Sequence, residues 1–163
     1  MQFLSIVLTM ISFLGQPDVD AIRKAYKAAG HDDAKIAYFN SLVKDITVEN
    51  ENATLVAYKG AAITLQAKVA KKLKEKKTLF IEGVNYIEKA IATNPNNIEA
   101  RFIRLGIQEN TPKMLKYKGN IEEDKAFVLE HYNEIESPLL KEDIKAYIIQ
   151  SKIFDKEEKE LLN

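Results

Sequence analysis

Apolar and polar positions alternate along this chain with the period of successive helices. From Val19, apolar residues recur at Ile22, Tyr26 and Ala29, a spacing that collects them on one helical face. This predicts a first helix over residues 18–29, with acids in its first turn and Gly30 as its C-terminal stop. His31, Asp32 and Asp33 form a turn that caps a second helix over 34–45, whose apolar side is Ile36, Phe39, Leu42, Val43 and Ile46. Asn52 is the N-cap of a long third helix reaching residue 76, with Val56, Ile63, Ala67, Ala70 and Leu73 as its inner stripe. A fourth helix starts at Thr78 and buries Leu79, Phe80, Val84, Ile87, Ala90 and Ile91. Gly60 and Gly83 lie inside these two helices, where glycine costs up to ~1 kcal/mol relative to alanine, so both predict close helix contact.

Pro95 ends the fourth helix, because the residue before a proline avoids the α conformation. Asn97 caps a fifth helix over 98–109 that carries Ala100, Phe102, Ile103 and Leu105, and the short connection makes it an antiparallel neighbour of the fourth. Residues 110–119 read as an irregular crossing with Met114, Leu115 and Tyr117 tucked in. Asn120 with Glu123 resembles a capping box for a helix to residue 135, and Ser137-Pro138 starts another that reaches 153. Asp155 and Glu158 cap a last short helix ending at Leu162. The fold class expected is all-α: an irregular antiparallel helix-hairpin array of about seven helices, one domain over residues 17–163.

The apolar run from Phe3 to Leu14 precedes this pattern. Twelve residues are too few to cross a bilayer, which needs about 20, whereas they fit the apolar core of a secretory signal peptide over residues 1–16. The expectation is a periplasmic or secreted protein; the alternative is a cytoplasmic one whose N-terminal helix packs on the domain.

At 163 residues, 46% hydrophobic and 29% charged, the composition is that of one folded domain. Cysteine is absent, which excludes disulfides, thiolate nucleophiles and cysteine zinc sites. Net charge is zero, but residues 53–77 hold seven lysines against Glu75 alone, and residues 120–163 hold twelve acids against six lysines. These two segments offer complementary surfaces within the fold or between copies.

The stretch Gly83 to Gly106, GVNYIEKAIATNPNNIEARFIRLG, carries a more specific pattern. Gly83, Ile87, Ala90 and Pro95 have the spacing of the small, bulky, small and proline positions in the second helix of a tetratricopeptide repeat, and the corner resembles the end of one repeat and the start of the next. Gly60 lies 23 residues before Gly83, and Pro138 lies 43 after Pro95, so the resemblance is to one degenerate repeat within a right-handed α-α array. The segment NPNNIEARFIRLGIQENTPKMLKYKGNIEEDKAFVL also resembles a family of small uncharacterised exported proteins of the Bacteroidota group, over about residues 53–150. That resemblance implies export and a helical fold and brings no activity with it.

Arg101, Arg104 and Gln108 share one polar stripe beside the apolar face of the fifth helix. In a repeat array such a stripe lines the inner surface, and two guanidiniums there can hold a partner's carboxylate by bidentate hydrogen bonds. The competing reading is ion pairing inside the fold with acids such as Glu82 or Asp124. Lys68, Lys71, Lys72, Lys74, Lys76 and Lys77 attract anionic surfaces in principle, but a solvated helix face is the expected reading of them. No arginine or aromatic residue interleaves, so nucleic acid is not an expected partner.

His31 beside Asp32 and Asp33 is a capping turn, and His131 has Asp124, Glu130 and Glu134 on its own helix but no Glu-x-x-His partner elsewhere. None of Ser5, Ser12, Ser41, Ser137 and Ser151 lies in a nucleophile turn, and no phosphate-binding loop is present. The expectation is a non-enzymatic helical binding or scaffold protein with no cofactor, no metal and no stable membrane span, whose partner is a peptide or protein segment. The alternatives are an enzyme whose pocket is assembled from scattered acids and His131, and a structural protein that self-associates through basic residues 53–77 and acidic residues 120–163.

Overall fold

The computed structural model describes residues 18–162, and the expected leader lies outside them. These residues form helices α1 (Val19–His31), α2 (Ile36–Leu42), α3 (Ala53–Val69), α4 (Leu73–Thr93), α5 (Ile98–Asn110), α6 (Ile121–Glu130), α7 (Pro138–Gln150) and α8 (Lys156–Glu160). Short 3-10 turns occupy Asp33–Lys35, Lys113–Leu115 and Tyr132–Glu134, and no strand occurs among the described residues. The protein is an all-α array.

Most helix starts follow local chemistry. Asp18 accepts from the backbone N–H of Asp20 and Ala21, Asn52 from Thr54 and Leu55, Asn97 from Ala100, and Ser137 from Leu140 with Pro138 behind it. Each side chain satisfies N–H groups that the helix itself leaves open. Asp155 and Glu158 form a reciprocal capping box on α8. Asn120 departs from expectation: its amide donates to the Glu123 side chain at 2.9 Å and caps no backbone N–H. Gly30 is also no stop, since α1 continues to His31 and ends on Asp32.

The largest correction lies between α3 and α4. The third helix stops at Val69, where Ala70 turns to ψ 141°, and α4 begins at Leu73, before Thr78. No proline or glycine marks this corner; the packing of the two helices places it. A Cβ added at Gly60 would lie 2.5 Å from the Gly83 carbonyl oxygen, and one added at Gly83 would lie 2.6 Å from that of Gly60. The helices therefore cross backbone against backbone at these glycines. An antiparallel hairpin that brings them level must turn midway between them, near residue 71. Leu73, expected on the inner stripe, consequently sits at the corner and is 82% exposed.

Two apolar cores result, and α5 belongs to both. The first packs Ile22, Phe39, Val56, Ile87 and Ile91 with Ala100 and Ile103 of α5, around a cluster of Tyr26, Phe39 and Tyr58 with ring centroids 5.5–6.3 Å apart, in which Tyr58 meets the other two rings edge-on. The second packs Val128, Ile144, Ile148, Phe154 and Leu162 around Leu105 of α5. Helices α2, α6 and α7 end three to five residues short of their expected limits, because Val43, Tyr132, Ile135 and Phe154 reach these cores from turns and connections. Between α5 and α6, Met114 and Leu115 are exposed, against expectation. Tyr117 alone turns inward, edge-on to Phe80 at 5.9 Å.

Candidate functional site

Helix α5 presents apolar residues to both cores, so its polar stripe falls on the seam between α4 and α6. Arg104 lies there with 4% of its side chain exposed. Its Nε donates to Asp124 Oδ2 and its Nη2 to Asp124 Oδ1, both at 2.7 Å, a two-pronged fit of guanidinium to carboxylate. Its Nη1 donates to Glu88 of α4 at 2.9 Å. Arg101 completes the cluster: Nη1 donates to Asp124 at 3.0 Å and to Glu123 at 2.7 Å, Nε donates to the Pro95 carbonyl at 2.7 Å, and the guanidinium lies 4.4 Å above the Phe127 ring. Asp124 is fully buried and takes three charged N–H donors.

Burial works against a charged Arg104, but the hydrogen bonds and charges of Asp124 and Glu88 outweigh it and raise the pKa further. Hydrogen bonds from Arg101 and Asn120 hold the Glu123 carboxyl below the usual carboxylate range. Tyr117 donates to Glu88, and burial together with that bond raises its hydroxyl well above the ordinary tyrosine value. Gln108, the third residue of the stripe, is wholly buried; its Nε2 reaches Asn120 at 3.4 Å and its Oε1 has no partner among the described residues. All three residues offered by the sequence as a partner face thus come together, but they face the interior of the chain.

Two further acceptors on α5, Glu99 buried and Glu109 half-buried, are not visible in the sequence pattern. Glu99 receives both prongs of Arg23 from α1 at 2.7 Å and the hydroxyl of Tyr58 from α3. Glu109 receives Tyr147 at 2.6 Å and Ser151 at 2.8 Å from the end of α7. Glu99 looks like an acid favouring the start of a helix, which hides its second role. The available clue is the scarcity of arginine: Arg23, Arg101 and Arg104 are the only three among 24 basic residues. Each is joined to a buried carboxylate, while most lysines lie on the surface.

The other sequence candidates stand apart from this cluster. His131 stacks on Phe127 at 4.0 Å with its Nδ1 2.9 Å from the Phe127 carbonyl, a contact that assigns the proton to Nδ1. The Asp124 near it in sequence is committed to arginine, and Glu130 and Glu134 are exposed. No group of three or more metal-binding side chains exists among the described residues. His31, Asp32 and Asp33 are exposed at the end of α1, where Asp32 caps the following turn. Of the acidic segment, Glu123, Asp124, Asp143 and Glu158 pair with basic groups of the same chain.

A surface groove lies between α1 and the start of α2. It has a volume of about 330 Å³ and is lined by Ala21, Lys24, Ala25 and Ala28 of α1 together with Lys35 and Tyr38. Tyr38 is 58% exposed and its hydroxyl has no partner among the described residues. No family model, curated protein or solved structure matches the chain.

Proposed function

We propose that this chain is a non-enzymatic helical binding or scaffold protein, built as a degenerate tetratricopeptide-like array, that acts in an exported compartment on a peptide or protein segment. The observation that carries the reading is the groove of α1 and α2. Its three small alanines leave room for a bulky side chain, its exposed tyrosine supplies stacking area, and its two lysines favour an acidic neighbour. The arginines support the same reading in a different way: they fix the scaffold and leave recognition to the outer faces. Export rests on the apolar run Phe3–Leu14.

The test is selection of short peptides from a random library on the full chain, followed by affinities on the Tyr38→Ser and Lys24→Glu/Lys35→Glu variants. Peptides with an apolar anchor beside an acid should emerge. They should lose about 10-fold or more on either variant, as expected for removal of an interface anchor. Selected peptides that bind both variants as well as the parent would refute this groove. For export, mass spectrometry of the native protein should find a processed N-terminus; an intact Met1 would overturn it.

A further inference from the structure

We infer that the α3–α4 corner is a docking tip for an anionic lipid surface. Val69 ends α3 and Leu73 begins α4, and they are 45% and 82% exposed on either side of the turn Ala70–Lys72. Around these two apolar side chains stand Lys71, Lys72, Lys74 and Lys77, all exposed and none within ion-pairing distance of a carboxylate among the described residues. Lys68 and Lys76 differ, since one pairs with Asp33 at 2.7 Å and the other donates to the Lys68 carbonyl at 2.8 Å.

The position of these lysines is unfavourable for the chain on its own. Lys72 is the N-cap of α4 and makes no side-chain cap bond; Lys74, Lys76 and Lys77 follow within two turns, with Glu75 as the lone acid of the first turn. A helix N-terminus already carries about half a positive charge, so cations there raise the free energy of the fold. Local rules are broken in this way chiefly where function requires it. Anionic headgroups relieve the repulsion, and Leu73 and Val69 can then leave water for the boundary between headgroups and acyl chains. A nucleic-acid backbone would satisfy the lysines but has nothing to cover Leu73. An acidic surface of a second copy is less well supplied, because several acids of the C-terminal third are already paired internally.

The experiment is sedimentation of the full chain with vesicles of phosphatidylglycerol and phosphatidylcholine in equal parts, compared with pure phosphatidylcholine, at low and high salt. Binding should require the anionic lipid and weaken with salt. It should fall roughly fivefold for each lysine removed in the series Lys71→Gln, Lys72→Gln, Lys74→Gln and Lys77→Gln, and several-fold for Leu73→Ser. The lysine variants should melt at or above the parent temperature, so lost binding is not lost folding. Equal binding to both vesicle types, or binding indifferent to the corner variants, would overturn the proposal and point to the N-terminal apolar run as the attachment. Retention of duplex DNA unaffected by Leu73→Ser would overturn it in favour of nucleic acid. A salt-sensitive doubling of mass in light scattering, abolished by the same lysine changes and without vesicle binding, would overturn it in favour of a second copy.

Discussion

Replacing Asp124 by alanine removes the carboxylate that three arginine N–H groups share in the seam between α5 and α6. The consequences for the two arginines differ. Arg101 keeps Glu123, the Pro95 carbonyl and the Phe127 ring, and Glu123 lies half in solvent. Arg104 keeps only Glu88 at 2.9 Å and a distant Glu123 at 3.9 Å, with 4% of its side chain exposed. It is left as a buried cation with two of its donors open. Removing one partner of a buried pair costs about 3–5 kcal/mol, against a total stability of about 5–15 kcal/mol for a domain of this kind. At about 2–4 °C per kcal/mol, the melting temperature should drop by roughly 6–20 °C. Urea unfolding followed by circular dichroism measures the change directly. The double variant Arg104→Met/Asp124→Leu removes both charges together and should recover most of the loss, because the penalty lies in the orphaned charge. A cost below about 1 kcal/mol for Asp124→Ala would place the cluster in solvent and refute the buried seam.

Other consequences can be measured on the same footing. Gly83→Ala should destabilise by at least about 1–3 kcal/mol, the range for overpacking, since its methyl would meet the Gly60 carbonyl and the Thr64 backbone; unchanged thermal unfolding would deny the backbone contact of α3 and α4. Ile103→Ala and Leu105→Ala, on opposite cores of α5, should each cost about 2–5 kcal/mol while leaving a single cooperative transition; separate transitions for the two halves would show that α5 does not join them. Tyr58, Tyr117 and Tyr147 have hydroxyl pKa values raised by burial and by donation to Glu99, Glu88 and Glu109, and Tyr26 is pushed up to about 12 by burial. The unfolded chain ionises its tyrosines near pH 10 while the folded one keeps these protons. Their contribution is therefore complete below pH 10 and is lost as pH rises above it. Unfolding titrations at increasing alkaline pH should show that decline, and Tyr58→Phe/Tyr117→Phe/Tyr147→Phe should flatten it; an unchanged slope would contradict the shifts.

Much of this fold is legible in the sequence because its signals are local. Asn52, Asn97, Ser137 and Asp155 cap helices through bonds to residues two or three positions on, and such bonds depend on nothing distant. The α3–α4 corner was hidden because no residue at positions 70–72 breaks a helix. Its place follows from Gly60 and Gly83 having to lie level, a relation across 23 residues. Met114 misleads for a related reason: its apolar character says nothing of the surface crossing on which it sits. The polar stripe of Arg101, Arg104 and Gln108 is visible from periodicity alone. Whether it faces solvent or a neighbour depends on where α6 brings Asp124, and that packing is set by the second core around Leu105.

The commitment of arginine to the interior can be observed one proton at a time. The Nε–H groups of Arg23, Arg101 and Arg104 each donate at 2.7 Å, to Glu99, the Pro95 carbonyl and Asp124 respectively. With only three arginines in the chain, their side-chain signals in a proton–nitrogen correlation spectrum are readily assigned. At neutral pH all three should appear as separate, shifted resonances whose exchange with water is slow. If those of Arg101 and Arg104 instead exchange as fast as free arginine, the polar face of α5 is open to solvent, and the reading of this helix as the internal seam of the fold is wrong.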